Sequence, residues 1–356
     1  MMGSGTIPVM AALKGHNAIG FDVDPLALLI ARTAARSISA GTLSAAAARV
    51  AEAARATYDA RYAHPDAETQ EFIDFWFDRI TQKRLGALIR AIDGESQTLR
   101  EPLLCAFSRL IITKDAGASR ARDVAHSRPH VVRAEASFDP IDRYQGAVEA
   151  VRKRHEGMSA TRPARSRIQL HLGDARRLPL ADGTVDFVMT SPPYLHAIDY
   201  MRGHRLALVW MGHTISELRA IRAEGIGSER MLELNPAFTK LVSSATHGAL
   251  TVRTKGIVHR YVDDLDRVVS EIARVLRPDG EVTFVVATAT VAGSQIRLSS
   301  VVTGLARLHG LRLVTRNARP LPAGRRYLPP PGPGDGTLDR RMRREWCLSF
   351  SKVPSI

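Results

Sequence analysis

The segment Thr190-Ser191-Pro192-Pro193-Tyr194 closes an apolar run, Val185-Asp186-Phe187-Val188-Met189. Proline lacks a backbone N–H and holds φ near about −65°. A strand that stops at Pro-Pro therefore leaves a stiff loop, with carbonyls aimed out of the sheet. A small acceptor (Ser191), the carbonyls of Pro192 and Pro193, and the ring of Tyr194 together suit a planar group that bears an amine. The exocyclic amine of a nucleobase fits, and a base flipped out of a duplex is read by such hydrogen bonds and stacking. A tight turn with a packed tyrosine would use the same residues, and the tetrapeptide alone leaves both readings open.

A second constellation lies at the start of the chain. Met1-Met2-Gly3-Ser4-Gly5-Thr6 reads as a glycine-rich loop opening a helix, with Thr6 as N-cap and Pro8 placed where a missing N–H costs nothing. The strand Ala18-Ile19-Gly20-Phe21-Asp22 follows. Glycines ahead of a helix, then a carboxylate at a strand end, describe a nucleotide-type site. The loop admits a ligand to the backbone and the acid takes ribose hydroxyls, with Asp22 the first choice and Asp24 the second. In such folds a strand precedes the loop. The expectation is that this first strand is missing at the N-terminus, because Met1 is a mis-set start.

These residues need elements to position them. A helix is expected over Leu26 to about Ala35, and helical periodicity runs through 40–113. There Phe72, Phe75, Trp76, Phe77 and Ile80 read as core. From Lys114 to Arg167 the periodicity fades and basic residues collect, among them Arg120, Arg122, Arg128, Arg133, Arg152 and Arg162. A solvated linker and a phosphate-contacting loop explain that stretch equally. Alternation then resumes: a strand over Ile168–Leu172 followed by Asp174, the strand feeding the Pro-Pro loop, and a helix from about Ala197 to Met211. The stretch 214–260 is mixed. A helix over Asp263–Leu276, a strand over Glu281–Thr288, a helix over Ile296–Leu308 and strands over Leu311–Thr315 and Arg344–Lys352 complete the pattern. A Pro/Gly-rich basic loop, Arg325–Pro331, lies between those last two strands.

Composition narrows the partners. Lys+Arg 50 against Asp+Glu 36 gives a formal charge of +14, an excess that favours a polyanion. Two cysteines, Cys105 and Cys347, make neither a disulfide framework nor a zinc site, so a cytoplasmic setting and no metal are expected. No apolar run reaches membrane-spanning length, so no membrane partner is expected. His196, His204 and His213 are not spaced as a metal site and are assigned structural roles.

Taken together, the motifs resemble those of the amino-group DNA methyltransferases. Met1-Met2-Gly3-Ser4-Gly5 is similar to their Phe-x-Gly-x-Gly cofactor motif, with Met1 in place of the phenylalanine. Asp22 resembles their strand-end acid, Asp174 their adenine-side acid, and Ser191-Pro192-Pro193-Tyr194 their catalytic loop. The resemblance covers residues 1–36 and 168–290. It implies an α/β, Rossmann-like sheet with S-adenosylmethionine as methyl donor and a flipped base as acceptor. The implied cofactor-binding residues are Gly3, Ser4, Gly5, Thr6, Asp22 and Asp174; the implied catalytic residues are Ser191, Pro192, Pro193 and Tyr194.

The implied organisation has the cofactor loop in 1–36, a helical and basic insertion in 37–167, and the remainder of the methyltransferase domain in 168–356. Because the cofactor motif precedes the catalytic loop, the permuted group is excluded. Serine at the first loop position is more similar to the cytosine-N4 enzymes than to the adenine-N6 enzymes, so DNA cytosine-N4 methylation, as in restriction-modification systems, is the leading expectation. The rivals are adenine-N6 chemistry, an RNA base as acceptor, a non-catalytic nucleic-acid binder with a truncated cofactor site, and, last, a small-molecule methyltransferase.

Overall fold

In this computed structural model the described residues are 1–60, 62–112, 117–122, 129–159, 163, 165–195, 199–227, 236–291, 293–321 and 344–353. The expected loop Arg325–Pro331, together with Lys114, Arg128, Arg162 and His196, lies outside them. In chain order the elements are α1 (Thr6–Leu13), β1 (Ala18–Asp22), α2 (Pro25–Ala35), α3 (Ala40–Thr57), α4 (Ala67–Trp76), α5 (Arg79–Asp93) and α6 (Gln97–Ile111). Then come the short pair β2 (Ala121–Arg122) and β3 (His130–Val131), α7 (Pro140–Ser159), β4 (Ile168–Leu172) and β5 (Val185–Thr190). The chain continues with α8 (Tyr200–Leu208), α9 (Ile215–Glu224), α10 (Pro236–Ala245), β6 (Thr246–His247) and α11 (Val252–Val275). It closes with β7 (Leu276–Val291), β8 (Ser294–Arg297), α12 (Leu298–Leu308), β9 (Leu311–Pro320) and β10 (Arg344–Lys352). The protein is α/β.

Two compact units divide the chain: one holds residues 2–172 and 199–221, the other Met1, 173–198 and 222–356. In the first, β1 and β4 run parallel, from Ala18 beside Ile168 to Asp22 beside Leu172. Helices α3 to α7 bury a shared core that includes Val50, Leu88, Leu103, Phe107 and Tyr144. Trp210, just beyond α8, meets Phe77 edge-on at 5.1 Å. The core reading of the aromatic cluster holds for Trp76 and Phe77, which are buried, and in part for Phe72, which is half-buried, whereas Phe75 and Ile80 are exposed.

Helix α7 lies where periodicity is expected to fade. Its buried residues Ile141, Tyr144, Val148 and Val151 recur at helical spacing, and the Tyr144 hydroxyl donates to the Leu103 carbonyl at 3.1 Å. The stripe is narrow, and the charged residues around it dilute the signal. Of the basic residues there, Arg120 donates to the Ala134 carbonyl at 2.7 Å and Arg152 pairs with Glu149. Those two guanidinium groups are engaged within the protein.

In the second unit the sheet order is β6-β8-β7-β10-β9, with β5 also paired to β7. β5 and β7 are parallel, Met189 lying opposite Thr283, and β10 is antiparallel to both β7 and β9. Val282, Phe284 and Val286 of β7 pack with Leu348 and Phe350 of β10 against Val262, Leu265 and Val269 of α11 and Val302 and Leu305 of α12. Helix α11 begins at Val252, eleven residues before the expected Asp263. Gly256 and the β-branched residues around it weaken local propensity, but burial of Ile257, Val258, Tyr261 and Val262 holds the turns. Among the described residues no helix is long and apolar enough to cross a membrane.

Candidate active site

The glycine loop and its acid belong to the first unit. Gly3 and Gly5 both take left-handed backbone, with φ of 56° and 78°, a region that only glycine enters cheaply. Gly5, not Thr6, is the N-cap of α1. The reason is steric: a Cβ on Gly5 would stand 2.6 Å from the Ala31 Cβ of α2, so the close approach of loop and helix requires glycine at the cap. A Cβ on Gly3 would meet nothing within 4 Å, so the loop is open on that side. Ser4 and Thr6 flank these glycines and are both exposed.

Asp22 ties the loop to the strand. Its Oδ2 accepts from the Gly3 N–H at 2.8 Å and its Oδ1 from the Asp24 N–H at 3.1 Å. The Met2 N–H donates to the Phe21 carbonyl at 3.0 Å. Asp24, the second choice for the ribose acid, is buried and caps α2. It accepts from the Leu26 N–H at 2.9 Å and the Ala27 N–H at 3.4 Å, and lies 2.5 Å from the His204 Nδ1. Asp24 therefore meets α2 and His204, while Asp22 is the acid adjoining the glycines.

The Pro-Pro loop belongs to the second unit, where three elements distant in sequence hold it. Tyr261 of α11 donates its hydroxyl to the Pro193 carbonyl at 2.8 Å. Tyr194 donates to Glu345 of β10 at 2.8 Å, and Glu345, only 6% exposed, also binds Arg319 of β9. The Tyr194 ring packs on Ala287 and Leu321. Burial pushes the Tyr194 phenol well above its ordinary pKa and the Glu345 carboxylate adds to the shift, so it stays protonated.

Ser191, exposed at the mouth of the loop, is 3.0 Å from the Val285 carbonyl and 3.5 Å from the Tyr194 oxygen. The Tyr194 proton goes to Glu345, so both neighbours accept. A serine has one proton to donate and two lone pairs. With its proton directed inward, Ser191 presents only acceptor capacity to a ligand.

Asp174 lies in the same unit. Arg176 grips both of its oxygens, at 2.7 to 3.1 Å, and reaches Asp264 at 2.5 Å. Burial by itself would raise the Asp174 carboxyl, but the hydrogen bonds and charge of Arg176 outweigh it and hold the pKa below the ordinary value. Tyr261, Glu345, Arg319 and Asp264 carry no signal that sequence reasoning could pick out. Each acts across 26 to 151 positions, and no local pattern marks such partners.

No protein-family model and no curated protein matches the chain. Solved structures do share likeness with it. A putative DNA modification methylase from Thermus thermophilus, complexed with S-adenosyl-L-methionine, is 18% identical over 52% of this chain and 53% of its own, with a TM-score of 0.29. A SAM-dependent methyltransferase from Methanosarcina mazei is 8% identical over 59% of this chain and 77% of its own, with a TM-score of 0.26. The [4+2]-cyclase SpnF is 14% identical over 60% and 63%, also at 0.26. The chain spans about half the length of the Thermus protein. At such scores function has to be read from the site residues themselves.

Proposed function

We propose that this protein is an S-adenosylmethionine-dependent methyltransferase acting on the exocyclic amine of a flipped nucleobase in DNA, cytosine N4 before adenine N6. The observation that carries the reading is Ser191: a hydroxyl whose proton is turned to internal acceptors, set in a Pro-Pro loop braced by Tyr261 and Glu345. Such a group accepts hydrogen bonds from an amine and cannot donate to it. The formal charge of +14 supports a polyanionic partner.

The glycine loop fits the cofactor in two respects. Gly3 offers open backbone, and Asp22 supplies a carboxylate beside it. Gly3, Ser4, Gly5 and Thr6 would hold the methionine end, Asp22 the ribose hydroxyls and Asp174 the adenine amine. When bound, the cofactor supplies an electrophilic methyl group on a sulfonium.

The protein's own task is to ready the acceptor nitrogen, whose lone pair is delocalised into the ring. Hydrogen bonds from the amine to Ser191 Oγ and the Pro192 carbonyl favour a tetrahedral nitrogen and localise that lone pair, while Tyr194 stacks on the base. Preorganised acceptors and positioning supply the rate, with no covalent intermediate.

Nucleoside mass spectrometry of DNA from a methylation-free host expressing the chain tests this directly. N4-methylcytosine is the expected product, and N6-methyladenine would move the acceptor to adenine. Product in RNA alone would select an RNA base. S-adenosylmethionine affinity with no product on either nucleic acid would remove the assignment to a nucleobase amine, and no cofactor affinity at all would select the non-catalytic binder.

A further inference from the structure

We propose that a cavity in the first unit, with Arg109 beside it, is a nucleotide subsite, receiving one base and its phosphate from a nucleic-acid strand; the choice of a nucleic acid rests on the function proposed above. The cavity has a volume of about 200 Å³. That is below the roughly 300–1,000 Å³ of sites for drug-sized ligands, so it suits a single base, with the phosphate outside it beside the exposed Arg109, rather than a whole cofactor. Leu26, Ile112, Pro129 and Ala207 give it an apolar floor.

Three side chains give the cavity its chemistry. Tyr200, 50% exposed at the start of α8, lines it with its ring 6.0 Å from the His204 ring at 37°. An exposed aromatic face beside an apolar floor is a stacking platform for a base. Arg109, exposed in the last turn of α6, brings a guanidinium fork whose geometry matches phosphate. His204 is oriented by the buried Asp24 through Nδ1. A helix cap needs only the Leu26 and Ala27 N–H bonds that Asp24 already accepts. The third bond fixes the imidazole by its Nδ1 edge. Asp199 also lines the cavity, but Arg202 pairs with it at 2.9 Å, which offsets a charge that would repel a phosphate.

The test is binding by the full chain, by calorimetry, of deoxycytidine 5′-monophosphate, deoxycytidine, inorganic phosphate and a single-stranded oligodeoxynucleotide. Tyr200→Ala and Arg109→Ala both alter exposed side chains, and circular dichroism verifies their folding. The monophosphate should bind more tightly than nucleoside or phosphate, and the oligonucleotide should bind as well. Tyr200→Ala should weaken the monophosphate by about ten-fold, the scale of one lost base stack, and Arg109→Ala should remove its advantage over the nucleoside.

Unchanged affinity in both variants overturns the subsite. So does an Arg109→Ala effect confined to melting temperature, which would mark a helix-end contact. Phosphate binding as tightly as the nucleotide removes the base, and failure of the oligonucleotide to bind removes the strand. Competitive displacement of the monophosphate by S-adenosylhomocysteine would give the cavity to the cofactor instead. Variant-sensitive nucleotide binding without methylation would overturn the proposed function and keep the subsite; methylation with variant-insensitive binding would do the reverse.

Discussion

The glycine loop and the Pro-Pro loop are built in opposite ways. The first is held by backbone groups close in sequence: Gly3 N–H to Asp22, Asp24 N–H to Asp22, and Met2 N–H to Phe21. The second is held by side chains from far away: Tyr261 is 68 positions from Pro193, Val285 is 94 from Ser191, and Glu345 is 151 from Tyr194. A ligand that must approach the main chain needs glycines and a nearby acid. A loop that must keep two prolyl carbonyls and a hydroxyl in fixed directions has few amide protons to anchor it, so side chains must do so.

Substitutions can break this comparison. The largest effect is expected at Ser191→Ala. Removal of one preorganised group of this kind lowers kcat by about 10²–10³-fold, while calorimetry should find S-adenosylmethionine affinity unchanged. Equal losses in both would remove Ser191 from the chemistry. Next comes Glu345→Gln, which weakens the bonds to Tyr194 and Arg319. Loss of a buried charged acceptor costs about 1–3 kcal/mol, read as a lower melting temperature, and kcat should fall with little change in KM. Tyr261→Phe removes a single neutral bond to Pro193 and should cost about 1 kcal/mol, with a smaller fall in kcat. A Tyr261→Phe enzyme with full activity would show that the loop needs no such brace.

The glycine loop should respond to main-chain changes instead. Gly5→Ala meets both a positive φ and the Ala31 Cβ, whereas Gly3→Ala meets only the φ, worth about 1–2 kcal/mol. Thermal unfolding should therefore rank Gly5→Ala as the more damaging, and titration should show Gly3→Ala weakening cofactor binding by blocking the open side of the loop. The smallest effect is a pH dependence at Asp174. A carboxyl whose folded pKa is depressed contributes stability above the unfolded pKa of about 3.9, lost as pH falls through the folded value. Asp174→Asn should flatten that acid limb, as followed by denaturant unfolding at stepped pH, and should lower stability by a constant amount at pH values where both folded and unfolded carboxyls are ionised.

Much of this is legible in the chain because it is written locally. β1, β4 and β10 fall on the expected residues, since alternation and apolar runs act over a handful of positions. The glycines, Asp22 and the Pro-Pro loop declare themselves through residue types whose backbone chemistry is distinctive. Helix α7 and the first turns of α11 escape such reading for a common reason: their stability comes from a buried stripe, while charged residues or Gly256 blur the local signal.

Residue types alone single out the glycines that can take left-handed backbone and the loop whose prolines carry no amide protons. Packing in three dimensions dictates the rest: Gly5 rather than Thr6 caps α1, Asp24 is spent on a helix end and His204, and Arg176 holds Asp174. It also sets the direction of the Ser191 proton, which depends on a carbonyl of β7 and, through Tyr194, on a carboxylate of β10. Donor and acceptor roles are set by neighbours in space, and the neighbours that matter most here are brought together only when the sheet forms.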